Sequence, residues 1–283
     1  PGRRITHQHQ ALSRVGWCHS GRISSSRGHL VTTETQYSVR NVVYTARIIP
    51  RHSYAKPWLE AARQGFRRHN VQVVDREADL TVVWSAHDAK KAPGDYLLLE
   101  CGYIKRFQYS SFGLNGLNGL AEFNTEGVPF DRAAQWEHLL KPEHGGDYTL
   151  IIGQCPGDAS LYGLDIVAWA EKVAKTIDGP VFYRPHPKQP TSPDIPTLSD
   201  SLEAALDGAG RVITYNSNVG VDARLNGCSV EAHHPGSMIY NKVDRRGWLR
   251  RLAYCQWNLN EIASGEAWEH LTNPRLVGAA IKR

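Results

Sequence analysis

The sequence is short of several things, and each shortage removes a class of protein. Five cysteines (Cys18, Cys101, Cys155, Cys228, Cys255) are scattered over 283 residues, odd in number and without a C-x-x-C pair. A disulfide framework or a zinc knuckle needs regular spacing, so reduced thiols are the plain reading. Cys228, His233 and His234 stand close together, but adjacent histidines on a strand point to opposite faces, and no metal is expected. No window approaches the roughly 18 consecutive apolar residues of a membrane helix. The longest apolar runs, Leu97–Leu99, Leu150–Ile152 and Val82–Trp84, are strand-sized. Neither a Walker A loop nor a G-x-G-x-x-G fingerprint is present.

Acidic residues are missing from the first 33 positions, which carry Arg3, Arg4, Arg14, Arg22 and Arg27. The remaining 250 residues hold 28 basic and 28 acidic side chains, so the whole formal charge of +5 sits in the leader. The basic pI is therefore no argument for a folded nucleic-acid surface. Residues 1–38 show neither helical nor strand periodicity and no apolar stretch. They read as a disordered basic leader rather than a secretory signal.

What is present is a strand–helix alternation. Asn41–Arg47 is β-rich, and Lys56–His69 carries Trp58, Leu59, Ala62 and Phe66 at amphipathic-helix spacing. Val71–Val74, Leu80–Trp84 and Tyr96–Glu100 follow as short strands. Near-continuous apolar strands alternating with helices predict a parallel sheet covered on both faces. The polar stretch Lys141–Asp147 has the composition of an interdomain linker. Beyond it the pattern restarts: strands at Tyr148–Gln154, Pro180–Tyr183, Arg211–Tyr215 and Ser229–His233, and helices at Leu164–Ile177 and Leu198–Leu206. A third helix runs after Asn218 and is stopped by Gly227. Two helices, around Trp248–Trp257 and Glu261–Leu271, close the chain. The expected architecture is α/β: two facing Rossmann-like halves, 39–142 and 147–244, followed by C-terminal helices over 245–283. Ligands in open α/β sheets bind outside the carboxyl ends of the strands, so the cleft between the halves is the expected site.

Three segments of the second half carry chemistry. In Val212–Asp222 a β-branched strand breaks into Asn216-Ser217-Asn218 and a helix starts at once. Unpaired N–H groups and the helix dipole there suit a phosphate, although an ordinary N-cap has the same composition. In Phe182–Pro187 two prolines stiffen a loop that holds Arg184 and His186, both able to donate to phosphate. Gly153–Ser160, with Asp158, follows the first strand of that half and belongs to the cleft without specifying a nucleotide.

Together, R-P-H-P and T-Y-N-S-N-V-G-V-D-A-x-L-x-G resemble the nucleotide-sugar-binding half of capsular-polysaccharide-type glycosyltransferases with the GT-B fold, over roughly 150–240. The resemblance implies that His186 and Ser217 hold the donor's phosphate, with Asn216 and Asn218 beside them. It also implies a UDP-, GDP- or CMP-linked sugar as donor and no permanently bound cofactor. The stretch 41–271, with Leu252–Trp257 and Gly265–Trp268, is similar to phage and prophage proteins. That implies a cytoplasmic protein of an infected bacterial host. The first half is shorter than the capsular pattern, which leaves the acceptor class open.

Metal-independent sugar transfer needs charge stabilisation for the leaving phosphate and a base for the acceptor hydroxyl. Base candidates at strand ends of the first half are Glu100, Asp88 (with His87 beside it) and His52. Glu100 follows three leucines and precedes Gly102, and burial would raise its pKa. Arg47 and His52 follow the first strand, where an acceptor would be met. The tract Phe112–Gly119, which repeats G-L-N, would make a loop able to close over substrate, or a plain flexible one. The reading is a nucleotide-sugar-dependent glycosyltransferase whose acceptor is a 5-hydroxymethylated pyrimidine in phage DNA. A capsular or cell-surface saccharide acceptor, a nucleotide-sugar epimerase or hydrolase, and a non-catalytic nucleotide-sugar-binding protein are the alternatives.

Overall fold

The computed structural model describes residues 44–51, 53–240 and 243–273. The basic leader and His52 therefore lie outside the described residues. The first part of the chain runs β1 (Thr45–Ile48), α1 (Lys56–Arg68), β2 (Gln72–Val73), β3 (Leu80–Val83), α2 (Ala86–Ala89), β4 (Tyr96–Cys101), β5 (Tyr109–Leu114) and α3 (Asp131–Ala134). The second runs β6 (Tyr148–Ile152), α4 (Ile166–Ala174), β7 (Val181–Arg184), α5 (Leu202–Asp207), β8 (Ala209–Thr214), α6 (Val219–Asn226) and β9 (Ser229–Ala232). The C-terminal part is α7 (Arg245–Ala253), β10 (Gln256–Asn258), α8 (Leu259–Ser264) and α9 (Glu266–Thr272).

The strands form two sheets, β10-β5-β4-β3-β1-β2 and β7-β6-β8-β9. The second is parallel throughout, as its apolar strands predict. The first departs from expectation: β2, β1, β3 and β4 are parallel, β5 runs antiparallel to β4, and β10 pairs antiparallel with β5. The tract read as a closing loop begins inside β5, where Phe112 is buried and the ring of Phe123 covers Gly113. Only 115–117 remain as a bend, before a single 3-10 turn at Asn118–Leu120. Its glycines serve close packing, which composition cannot distinguish from flexibility.

The C-terminal region also departs from two helices. It contributes β10 to the first sheet and packs α8 on α1. Helix α1 starts with Pro57 in its first turn and buries Trp58, Leu59, Ala62 and Phe66. A Cβ on Gly65 would stand 2.2 Å from the carbonyl oxygen of Ile262, so only glycine lets the two helices approach this closely. Glu261, the residue before Ile262, makes a half-buried ion pair with Arg132 at 2.8 Å, and the Arg132 guanidinium stands 3.8 Å above the Trp257 ring. The pairing matters more when broken than when made, since one partner alone would be a stranded charge.

The 141–147 stretch is not a loose tether. Lys141 N–H donates to the Leu225 carbonyl and His144 N–H to that of Gly227, which satisfies carbonyls at the C-terminal end of α6.

Candidate functional site

One cavity of about 330 Å³ is lined from both sheets at the carboxyl ends of their strands. The first sheet supplies Glu100 from β4, Ser85–His87 after β3, Arg106 from the β4–β5 loop and Asn118. The second supplies Gln154–Ser160 after β6, His186 after β7 and Asn216–Asn218 after β8. Five of the expected residues on that second side thus meet around one space, opposite Glu100.

Glu100 is half-buried, and burial raises its pKa above the ordinary glutamate range. The Ala86 N–H, 3.3 Å from its Oε1, pulls the value back, while the nearby charge of Asp158 pushes it up again. Its backbone is fixed by Ser111, whose Oγ accepts from Glu100 N–H at 3.1 Å, and by Ser110, whose hydroxyl donates to the Glu100 carbonyl at 2.8 Å. A rigid, partly desolvated carboxylate has the properties of a general base.

His186 faces the same space. Its Nδ1 lies 3.2 Å from the Lys188 N–H and 3.1 Å from Cys155 Sγ. An amide can only donate, so Nδ1 is the accepting nitrogen and the neutral ring carries its proton on Nε2. Burial, and then the charge of Lys188, lower the pKa of His186, favouring that neutral form.

At the start of α6 most N–H groups are already used. Asn216 N–H donates to Gln154 Oε1, Ser217 N–H to Thr214 Oγ1, Val219 N–H to Ser217 Oγ, and Gly220 N–H to the Ser217 carbonyl. The sequence suggested several outward N–H groups. Among residues 216–220 the Asn218 N–H is the one left without an internal acceptor, because a tight turn consumes the rest. The Ser217 hydroxyl keeps its own proton to donate. Asn218 Nδ2 donates to the Tyr103 carbonyl at 3.1 Å, while its buried Oδ1 has no partner.

Several expected roles change. Asn216 is buried and its amide is committed to Gln154 and Ser160, so it builds the site rather than binding in it. Asp158 lines the cavity but turns its carboxylate onto Ser160 N–H and Oγ at 2.8 and 2.7 Å. A carboxylate has no proton to give a phosphate. Gly153 is not a lining residue; its lack of a side chain makes room for Tyr183, whose hydroxyl would be 2.1 Å from a Cβ there. Arg184 donates instead to the Asp200 carbonyl at 2.5 Å. Asp88 is not a lining residue either: it pairs with Arg51 at 2.7 Å, and the helix cap Ser85 accepts from its N–H and donates to its carboxylate. Arg47 points to solvent from β1, away from the lining.

Arg106 is not among the site candidates named from the sequence. Among the described residues it is the single Lys or Arg in the lining, and its charge reaches Glu100, His186 and Asp222. Its loop is held from a distance: Gln256 Oε1, fully buried on β10, accepts from Tyr103 N–H at 2.6 Å and Ile104 N–H at 2.9 Å. Nothing local in Tyr103–Arg106 announces this.

Among the described residues no group of three or more His, Cys, Asp or Glu could hold a metal ion, and no helix is long and apolar enough to cross a membrane. No family model and no curated protein matches the chain. Two solved structures from Thermosulfurimonas dismutans are similar in fold. One is the β-Kdo 2,7 transferase of KpsC, at a TM-score of 0.53 and 14% identity, covering 79% of this chain and 98% of that one. The other is the β-Kdo 2,4 transferase of KpsC, at a TM-score of 0.47 and 13% identity, covering 75% and 90%. The first likeness is one of fold.

Proposed function

We propose that the chain is a glycosyltransferase of the GT-B type that moves a sugar from a nucleotide donor to an acceptor hydroxyl. One observation carries the reading. A partly desolvated carboxylate, Glu100, shares a cavity with a set of neutral and cationic donors, His186 Nε2–H, the Ser217 hydroxyl, the Asn218 N–H and Arg106. Fixed donors aimed at a leaving phosphate stabilise the charge that grows there. Glu100 accepts the proton of the attacking hydroxyl as the new glycosidic bond forms and the sugar–phosphate bond breaks. The electron pair of that bond leaves with the nucleotide. The likeness in fold to a β-Kdo 2,7 transferase structure supports the glycosyltransferase reading in general.

The test incubates the full chain with UDP-, GDP- and CMP-sugars, each with capsule oligosaccharides and with hydroxymethylated duplex DNA. Mass spectrometry detects transferred sugar and released nucleotide. Sugar addition to an acceptor supports the reading. Nucleotide release without transfer makes it a hydrolase, and neither product with any pair overturns an enzymatic role.

A further inference from the structure

The loop that presents Arg106 also borders a separate cavity, of about 450 Å³. Tyr103 and Arg106 line the first cavity, while Ile104 and Lys105 of the same loop line this one. Helix α6 is shared in the same way: its cap, Asn218, belongs to the first, and Asp222 and Leu225 to the second. Ile104, Leu139, Leu202, Leu206 and Leu225 give the second cavity a wall of branched hydrocarbon. Its volume falls in the range of small-molecule sites, about 300–1,000 Å³.

Asp222 breaks that wall. It is half-buried, yet its carboxylate has neither a hydrogen bond nor an ion pair among the described residues, and its oxygens stay open to the cavity. A carboxylate in the first turn of a helix ordinarily meets unpaired N–H groups. Here they are spent. Val219 N–H donates to Ser217 Oγ, Gly220 N–H to the Ser217 carbonyl, and Val221 N–H to that of Asn218. The polar side chains of the lining are spent as well. Asn226 gives its amide to Asp207 at 3.0 Å, and Lys141 pairs with Asp207 at 3.3 Å and Glu203 at 3.6 Å. Arg106 acts on Asp222 through its charge alone. A carboxylate left bare among leucines costs the free protein stability, and a cation that enters offsets that cost.

We infer that this cavity is a second ligand site and that it takes a small alkylammonium compound, its head on Asp222 and its hydrocarbon body along the leucines. An ammonium brings the three donors and the charge that Asp222 lacks. The body takes apolar wall out of water, a gain that grows with the area covered. Calcium or magnesium does not suit the space, because such ions need roughly six oxygen ligands and the wall is hydrocarbon. An anion would face Asp222. The site does not depend on the sugar chemistry of the first cavity, so either can fail without the other.

The experiment titrates the full chain near neutral pH with hexylammonium, 1-hexanol and hexanoate, which share one carbon count, and follows amide shifts by NMR. Hexylammonium should bind at least tenfold more tightly than hexanol, and hexanoate should not bind. Shifts should move at Ile104, Lys105 and Asp222 and stay still at Ser229 and Ala232, which line a different cavity. Asp222→Asn, which keeps the shape, should bring hexylammonium down to the affinity of hexanol and leave hexanol unchanged. Leu202→Ala, on the half-buried part of the wall, should weaken amine and alcohol by the same factor. Equal affinity for amine and alcohol, an amine preference that survives Asp222→Asn, or shifts confined to another cavity overturns the inference. So does a lysine-bearing peptide that binds these residues more tightly than hexylammonium, or a dimer in sedimentation that Leu202→Asp splits, because either makes the cavity a protein-docking face.

Discussion

Gln154 and Asn216 hold each other twice: Gln154 Nε2 donates to Asn216 Oδ1 at 2.8 Å, and Asn216 N–H donates to Gln154 Oε1 at 3.2 Å. This reciprocal pair locks the loop after β6 to the start of α6, and so sets where Ser217 and Asn218 stand. Asn216→Ala leaves one buried Gln154 N–H without its acceptor and the Ser160 carbonyl without its donor, a loss of about 1–3 kcal/mol. Donor affinity should fall although Asn216 touches no donor. A double-mutant cycle with Gln154→Ala should be strongly non-additive in Tm and in donor Kd. Additive effects would show that the pair does not act as one unit.

Glu100→Gln should lower transfer by about 10²–10⁴-fold, the usual worth of a positioned base, and leave donor Kd unchanged. In the parent the base works only when deprotonated. Its raised pKa therefore makes kcat/KM climb with pH through a midpoint above the ordinary glutamate range. A pH–rate profile whose acid limb lies at an ordinary glutamate value argues against Glu100.

Arg106→Met should weaken donor binding about 10–100-fold, in line with the strength of charge-assisted hydrogen bonds. It should also shift the acid limb upward, because the guanidinium helps hold the Glu100 carboxylate ionised. Isothermal titration and the pH profile read the two effects separately. If only one moves, Arg106 serves only one of the two roles.

Asp222, in the first turn of α6, has its pKa raised to about 6 by burial. A folded value above the unfolded one, 3.8, means the native state holds the proton more tightly. The resulting stability is present below pH 4 and lost as pH rises towards 6. Above that the buried charge costs about 2–3 kcal/mol. Asp222→Asn should therefore raise Tm at pH 7–8 and flatten the stability curve between pH 4 and 6. Urea denaturation at four pH values checks the slope, and an unchanged slope refutes the assignment.

Much of this was legible in the chain itself, and the failures have causes. The central strands of the second sheet declared themselves because Leu150–Ile152 of β6 and Val212–Thr214 of β8 are buried on both faces and read as nearly continuous apolar runs. Gly227 ended α6 as expected, in the left-handed conformation. Glu100 stood out as a single carboxylate after Leu97–Leu99. Strand β5 was hidden, because its Gly113 and small residues gain a partner only from β4 and from β10, whose Trp257 pairs with Ser110 147 positions earlier. Arg106 was hidden for the same reason: a loop arginine looks solvated until Gln256 fixes the turn that aims it. Asp88 and Arg184 looked functional because capping and carbonyl binding use the same residue types as catalysis and phosphate binding.

The contribution of β10 to the first sheet has a consequence for how the protein is made. Residues 45–114 leave the ribosome early, yet the edge of β5 and the anchor of the Tyr103–Arg106 loop wait for Trp257 and Gln256. A polypeptide usually folds from its N-terminal end as it emerges. Here the second sheet, encoded between them, can finish first, and the earlier-born sheet stays open until residues 256–258 have emerged. The cavity, lined from both sheets, is therefore completed only after the second sheet is already made.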